Sequence, residues 1–242
     1  MNGENNAWRN SLKILNQETQ PNEMEKYSLY SDYTTEQKRG FIEMLKLVDE
    51  CIRILQEEGE LTEYIAINAR IKSAESALRN DDRNNKPLND VFGIEIVAGN
   101  EKALDKIMNR LDEIMNVTKY KKHDKDNGYK ATHKIMELKR EFFEKLELDN
   151  LIYDHVPMVE FQFKTFAVKE NATSGNANHW KYKAENKEEI QAKYDKNEFN
   201  EHNLPIMYTI EGHRIRILNK QETIKAVYPF IKLKNIEKGV QR

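Results

Sequence analysis

The chain has 242 residues, of which 38% are apolar and 33% charged, with a formal net charge of −2. That length can bury a full core as one large domain or two small ones, and the charge balance argues against a constitutive nucleic-acid binder. No apolar run approaches the roughly 18 residues that span a membrane, the N-terminus lacks a basic-then-apolar leader, and the lone Cys51 excludes an internal disulfide, so a cytoplasmic protein is expected.

In chain order, Trp8, Leu12 and Leu15 recur at helical spacing within a polar stretch, 1–34. Phe41, Met44, Leu45, Val48, Cys51, Ile52 and Leu55 predict a firm helix over 36–58, ended by Gly59. The period then changes to two. Ile65, Ile67, Ala69 and Ile71 alternate with Ala66, Asn68, Arg70 and Lys72, which predicts a strand over 64–72, with helix as the competing reading. Ser73 can cap a short helix, 74–80. A polar loop, 80–88, leads to a second strand from Asp90 to Val97. Helix 100–115 buries Leu104, Ile107, Met108, Leu111, Ile114 and Met115.

Residues 119–127 read as a charged loop ending at Gly128, and 129–136 as a return to the sheet. Helix 138–148 precedes a strand, 157–165, with two opposed faces: Val159, Phe161 and Phe163 on one, Glu160, Gln162 and Lys164 on the other. The chain is then polar and helix-rich to about 198. Runs 205–210 and 213–218 flank Glu211 and Gly212 as a hairpin, and helix 220–227 precedes a basic tail. The alternation implies an α+β (α/β-like) architecture, a mixed sheet flanked by helices. Three regions are expected: 1–60 helical, 61–185 the core, and 186–242 a hairpin and helix extension packed on it.

Two acids stand out. Asp90 opens one strand and Glu160 lies mid-strand on a polar face; two carboxylates on neighbouring strands can bind Mg²⁺ together with substrate phosphates. Each acid taken singly is more often a strand cap or a solvated side chain. Arg70 and Lys72 share a strand face, and Lys121, Lys122 and Lys125 precede Gly128; such cations meet phosphate, although a solvated charge run is the better reading of Lys121 and Lys122. Tyr129 can stack on a base, and His133 shares its face on a strand. Glycine-rich phosphate loops, nucleophile elbows and paired-histidine metal motifs are absent from the sequence.

Four segments taken in order resemble the synthetase domain of the RelA/SpoT family: Arg70 to Ser76, Asp90 to Val97, Lys125 to His133, and Val159 to Thr165. The string His179-Trp180-Lys181-Tyr182-Lys183 looks like the family's following helix. The resemblance spans about 64–185 and implies a nucleotidyltransferase-like fold. It also implies transfer of the β,γ-pyrophosphate of ATP to the 3′-hydroxyl of GDP or GTP. On that resemblance Asp90 would hold Mg²⁺, and Glu160 would assist the metal and activate the hydroxyl. Arg70 and Lys72, with Arg79, would bind ATP. Lys125 and His133 would bind acceptor phosphates, Tyr129 would stack on the guanine, and Gln162 would support the acceptor site.

Two positions depart from the family pattern. Glu95 stands where the family carries arginine, and Asn80 where it carries lysine, with Arg79 adjacent as a substitute. On a regular strand Glu95 faces away from Asp90 and pairs with a basic neighbour. A bulge or twist would turn it into the cleft against ATP phosphates, and the family's arginine there favours that second case. His123-Asp124 does not continue into the HDxxED signature of the family's hydrolase domain, so a small stand-alone synthetase is expected, with a homo-oligomer implied by the resemblance. Two other readings remain: a relative that modifies an adenine nucleotide or the 3′ end of tRNA, or a non-catalytic nucleotide-binding module. The segment 211–242, with eight Lys/Arg against three Glu, could contact RNA but is more often merely solvated.

Overall fold

The computed structural model describes residues 35–73, 76–77, 90–145, 157–173, 187–196, 198–199 and 203–228. The expected helix at Trp8 to Leu15, Arg79, Asn80 and the string 179–183 lie outside them. In chain order the elements are α1 (Thr35–Glu57), β1 (Ala66–Ile71), β2 (Phe92–Ala98), α2 (Glu101–Ile114), β3 (Met115–Asp124), β4 (Lys130–Leu138), α3 (Arg140–Lys145), β5 (Val159–Thr165), α4 (Phe166–Thr173), α5 (Lys187–Asp195), β6 (Ile206–Glu211), β7 (Arg214–Ile217) and α6 (Lys220–Val227). Among the described residues no helix is long and apolar enough to cross a membrane.

Among the described residues seven strands form one mixed sheet in the order β3-β4-β5-β2-β1-β6-β7. Only the central pair, β2 with β5, is parallel; the other neighbours are antiparallel. The architecture is the expected α+β mixed sheet with flanking helices. Alternation over 66–71 settles the strand reading: Ile67, Ala69 and Ile71 are buried.

One face of the sheet is the core. Ile67, Ala69 and Ile71 of β1, Phe92, Ile94 and Ile96 of β2, Val159, Phe161 and Phe163 of β5, and Met136 of β4 pack with the apolar stripes of α1 and α2. Phe41 of α1 lies 5.2 Å from Phe92 and 6.1 Å from Tyr208 between ring centroids. Asn100 caps α2 by accepting from the Ala103 amide at 2.9 Å. Ser73 Oγ accepts from the Ser76 amide at 3.3 Å, which is the expected cap.

The segment 119–127 is corrected from loop to strand over most of its length. β3 runs to Asp124 and pairs with β4 from Met115↔Leu138 to Asp124↔Lys130. As the outer strand of the sheet, it is solvated on both faces along nearly its whole length, so its side chains carry no apolar alternation. Its lysines also guard an open edge against pairing with another chain. The C-terminal hairpin turns at Gly212 and His213, whose φ values of 53° and 63° suit the two-residue turn that matches strand twist. Asn219 and Glu222 cap α6 reciprocally, each side chain accepting from the other's amide at 2.9 Å.

The alternation of β5 generates a stability prediction. Phe161 is fully buried between sheet and helices, so Phe161→Ala removes a large side chain and leaves a cavity, costing about 3–5 kcal/mol. Gln162, the next residue on the opposite face, contributes side-chain hydrogen bonds only, and Gln162→Ala costs about 1 kcal/mol. Urea unfolding of both variants checks the pair; equal losses would contradict the assignment of faces.

Candidate functional site

The face of the sheet opposite the core carries the charge. Register places Arg70 beside Gly93, Gly93 beside Glu160, Asn68 beside Glu95 and Glu95 beside Gln162. On β4, His133 lies beside Gln162, and on β3, Lys121 lies beside His133. Four strands therefore present Arg70, Glu95, Glu160, Gln162, Lys164 and His133 on one surface, because each contributes every second residue.

Glu160 sits at the centre. His133 Nδ1 is 3.2 Å from Oε1, Gln162 Nε2 donates to Oε2 at 2.9 Å, and the Arg70 guanidinium stands 4.0 Å from Oε2. Burial acts to raise the carboxyl pKa. The hydrogen bonds from His133 and Gln162, with the charges of His133 and Arg70, outweigh it and bring the value down to about 2. Arg70 lies over Gly93 of β2, where an added Cβ would be 3.4 Å from its Cγ and Nε.

Asp90 lies just ahead of β2, which begins at Phe92. Lys72 forms an ion pair with its Oδ2, and its Oδ1 is buried with no hydrogen-bond partner. Asp90 precedes β2 by two residues, whereas Glu160 stands beside Gly93 within the β2–β5 register. No group of three or more His, Cys, Asp or Glu among the described residues could hold a metal. Mg²⁺ needs no such cage, since it keeps several waters and takes one or two carboxylates with phosphate oxygens. The unpartnered Oδ1 of Asp90 fits that donor set.

Tyr129 is placed by the turn between β3 and β4. Gly128 adopts φ 82°, the Lys125 amide donates to the Tyr129 carbonyl at 3.0 Å, and a Cβ at Gly128 would come within 2.8 Å of Asn171 Nδ2 on α4. The ring is half-buried, and the ammonium groups of Lys125 and Lys164 each lie 5.6 Å from its centroid. Its hydroxyl is 3.0 Å from His133 Nε2. Burial first, then the carboxylates of Glu95 and Glu160, raise the phenol to about 12 against the opposing charge of Arg70. The His123 ring lies 4.4 Å from the His133 ring between centroids, tilted by 60°. Burial, His133, Lys121 and Lys125 lower its pKa, with Glu160 opposing.

A model of the family described as the region found in RelA/SpoT proteins matches residues 67–188, half of the chain. The chain belongs to the RelA/SpoT family. Among solved structures it is similar to a GTP pyrophosphokinase family protein from Streptococcus pneumoniae, with TM-score 0.51 and 16% identity over 64% of this chain and 78% of that one. At that identity the likeness is one of fold. It is also similar to small alarmone synthetase 1 from Bacillus subtilis, with TM-score 0.49 and 20% identity over 64% and 81% of the two chains. Small alarmone synthetase 2 from the same organism aligns with TM-score 0.44 and 19% identity over 77% and 84%. No curated protein matches.

Of the residues expected from the RelA/SpoT resemblance, Arg70, Tyr129, His133, Glu160 and Gln162 converge on one face, Lys125 borders Tyr129, and Lys72 and Asp90 pair at one end of it. Glu95 combines parts of both sequence-based accounts: it faces the Glu160 side, as the family's arginine favoured, and it is paired with basic neighbours. β2 is regular, and because it starts after Asp90, Glu95 reaches the Glu160 face without any bulge. It does not stand there unopposed. Lys164 Nζ lies 2.7 Å from its Oε1, Lys169 of α4 pairs with Oε2, and Asn68 Nδ2 donates to Oε2 at 3.3 Å. Lys169 and Asn68 were missed by sequence reasoning. Asn68 alternates with Arg70 and was legible as a member of this face, whereas Lys169 sits on a polar helix with no local signal. An arginine at position 95 would meet two ammonium groups.

The Glu95 cluster generates a pH prediction. Burial opposes its ionisation, but the charges and hydrogen bonds of Lys164 and Lys169 prevail and hold the carboxyl at about 2, below its ordinary 4.5. A depressed carboxyl stabilises the fold above pH 4.5, and that contribution is lost as pH falls toward 2. For a side chain only 16% exposed, it amounts to on the order of 3 kcal/mol at pH 7. Glu95→Gln should lower stability by that order at pH 7, with the gap to the parent protein closing as the pH approaches 2. Denaturant titrations between pH 7 and 2.5 measure it; a gap independent of pH would contradict the pairing.

Proposed function

We propose that this RelA/SpoT family member is an ATP-dependent pyrophosphokinase that transfers the β,γ-pyrophosphate of ATP to the 3′-hydroxyl of GDP or GTP. The observation that carries the reading is the ionised Glu160, oriented on both oxygens by His133 and Gln162 and flanked by Arg70, on the same sheet face as Tyr129. Phosphoryl-type transfer asks the protein for in-line positioning and for cations against developing charge, and for little covalent chemistry. This face offers both.

Arg70 and Lys72 would hold the donor phosphates, with Arg79 added by the family resemblance. Tyr129 would stack on the acceptor base, which takes the place of one of the two ammonium groups now over its ring, and Lys125 would meet the acceptor phosphates. Mg²⁺ held by Asp90, assisted by Glu160, would supply charge neutralisation of the donor's phosphate oxygens. In the transfer, the ribose 3′-oxygen forms a bond to the β-phosphorus of ATP, the bond from that phosphorus to the oxygen bridging to the α-phosphate breaks, and AMP leaves. The hydroxyl proton passes to Glu160. A carboxylate held at about 2 is a weak base, so it orients the hydroxyl through most of the approach and takes the proton late, which suits a loose transition state.

A second reading is a nucleotide-binding module of the same fold without transfer, and one observation favours it: Glu95 consumes the charge of Lys164 and Lys169, two cations that would otherwise face substrate phosphates. Incubation with Mg²⁺, labelled ATP and a panel of GDP, GTP, ADP and tRNA separates the readings. Label in a guanosine 3′-pyrophosphate supports the proposed function. Label on ADP or tRNA assigns a different acceptor, and no transfer to any of them supports the module.

Asp90→Asn and Glu160→Gln keep shape and remove charge, and each should reduce transfer by at least about a hundredfold while leaving the unfolding transition in place. Near-parental rates in either would contradict its role. Tyr129→Ala should raise the acceptor KM about tenfold or more, since base–aromatic stacking is worth roughly 1–3 kcal/mol, with the ATP KM little changed. Steady-state kinetics with each substrate varied in turn measures it; an effect confined to ATP would reverse the two nucleotide sites.

A further inference from the structure

Helix α4, Phe166–Thr173, has eight residues and none of them is buried. A helix that short is marginal alone in water, so its place depends on contacts with the rest of the fold. At its start the Phe166 ring stacks on Tyr64, just ahead of β1, at 6.0 Å between centroids. In its middle Lys169 pairs with Glu95 of β2. Near its end Asn171 Nδ2 donates to the Asn127 carbonyl at 3.1 Å, in the turn between β3 and β4. Asn127 is held a second time, because its side-chain oxygen accepts from the Tyr129 amide at 3.2 Å. The approach of helix and turn is close: a Cβ on Gly128 would stand 2.8 Å from Asn171 Nδ2. The turn itself closes through the Gly128 amide, which donates to the Lys125 carbonyl at 2.8 Å.

We propose that α4 is a brace for the turn from Lys125 to Tyr129, with Glu95 and Asn171 as positioning residues. Glu95 holds the helix through Lys169, and Asn171 passes that placement on to the turn. This rests on the proposed pyrophosphate transfer, in which Lys125 meets the acceptor phosphates. A lysine is a point charge on a flexible stem, so the backbone that carries Lys125 sets how far its ammonium has to reach. The brace gives Glu95 a use in this chain that an arginine at the same position could not supply, since an arginine would repel Lys169 and release the helix. It also ties the centre of the sheet to a turn two strands away through one short element.

Lys169→Met removes the anchor on β2 and leaves Glu95 paired with Lys164, and Asn171→Ala removes the anchor on the turn. In the full chain labelled with nitrogen-15, each variant should speed amide exchange at Gly128 about fivefold, the size expected for one partly exposed polar contact. The Leu218 amide, bonded to the Met207 carbonyl on the other half of the sheet, should exchange as in the parent. Because the anchors act in series, the double variant should show no more than the larger single effect. Parental Gly128 exchange in both single variants would overturn the brace, and so would an acceleration of about 25-fold in the double variant, the product of independent effects. In steady-state kinetics each variant should raise the acceptor KM about fivefold, with kcat and the ATP KM within about twofold of the parent. A parental acceptor KM, or equal rises in both KM values, would overturn the positioning role. If the parent protein transfers no pyrophosphate, the functional reading fails while the exchange measurement still decides the brace.

Discussion

The register of one parallel pair, β2 with β5, governs the polar face. It sets Gly93 beside Glu160 and Glu95 beside Gln162, while Ile94 and Ile96 align with Phe161 and Phe163 on the other side of the sheet. A slip of one residue would send Glu160 into the core and Phe161 into the cleft, because side chains alternate strictly along a strand. Burial of those phenylalanines therefore fixes the place of the carboxylate as firmly as any contact the carboxylate itself makes. β1 and β4 then bring Arg70 and His133 to it from either side.

The electrostatics of the face follow from its partial burial. Isolated charges there would be costly, so each is matched: Glu95 by Lys164 and Lys169, Asp90 by Lys72, Glu160 by hydrogen bonds and the nearby guanidinium. The groups left with spare capacity are informative. Asp90 keeps an unpartnered oxygen, the lysines of β3 are exposed, and Lys125, in the turn after it, lies over the Tyr129 ring. On the proposed function, these are where a metal and anionic substrates would add contacts without first displacing a buried pair.

Much of this was legible in the sequence wherever burial writes a period. The alternation of Val159 to Lys164 and of Ile65 to Lys72 follows from strands with one core face, and the stripes of α1 and α2 from helices that cover it. β3 was not legible, because an edge strand solvated on both faces has no apolar rhythm. The cleft-facing direction of Glu95 was legible from the family's arginine at that position but not from counting along the strand, since a count from Asp90 assumes that Asp90 belongs to the strand, whereas β2 begins at Phe92. The partnership of Glu95 with Lys169 joins residues 74 apart in sequence through the packing of α4 against the sheet, and nothing local announces it. The chemical set of Arg70, Asp90, Tyr129, His133, Glu160 and Gln162 was readable only as an ordered group, since each member alone has an ordinary structural explanation.

The central claim is that this single face binds donor and acceptor together with the acceptor hydroxyl at Glu160. A crystal structure of the protein with Mg²⁺, a non-hydrolysable ATP analogue and GDP tests it most directly. The account predicts the guanine against the Tyr129 ring, the ribose 3′-hydroxyl within hydrogen-bonding distance of Glu160, and the metal on Asp90 Oδ1 beside donor phosphates held by Arg70 and Lys72. An acceptor bound away from Tyr129, or a 3′-hydroxyl turned away from Glu160 with both nucleotides in place, would contradict it.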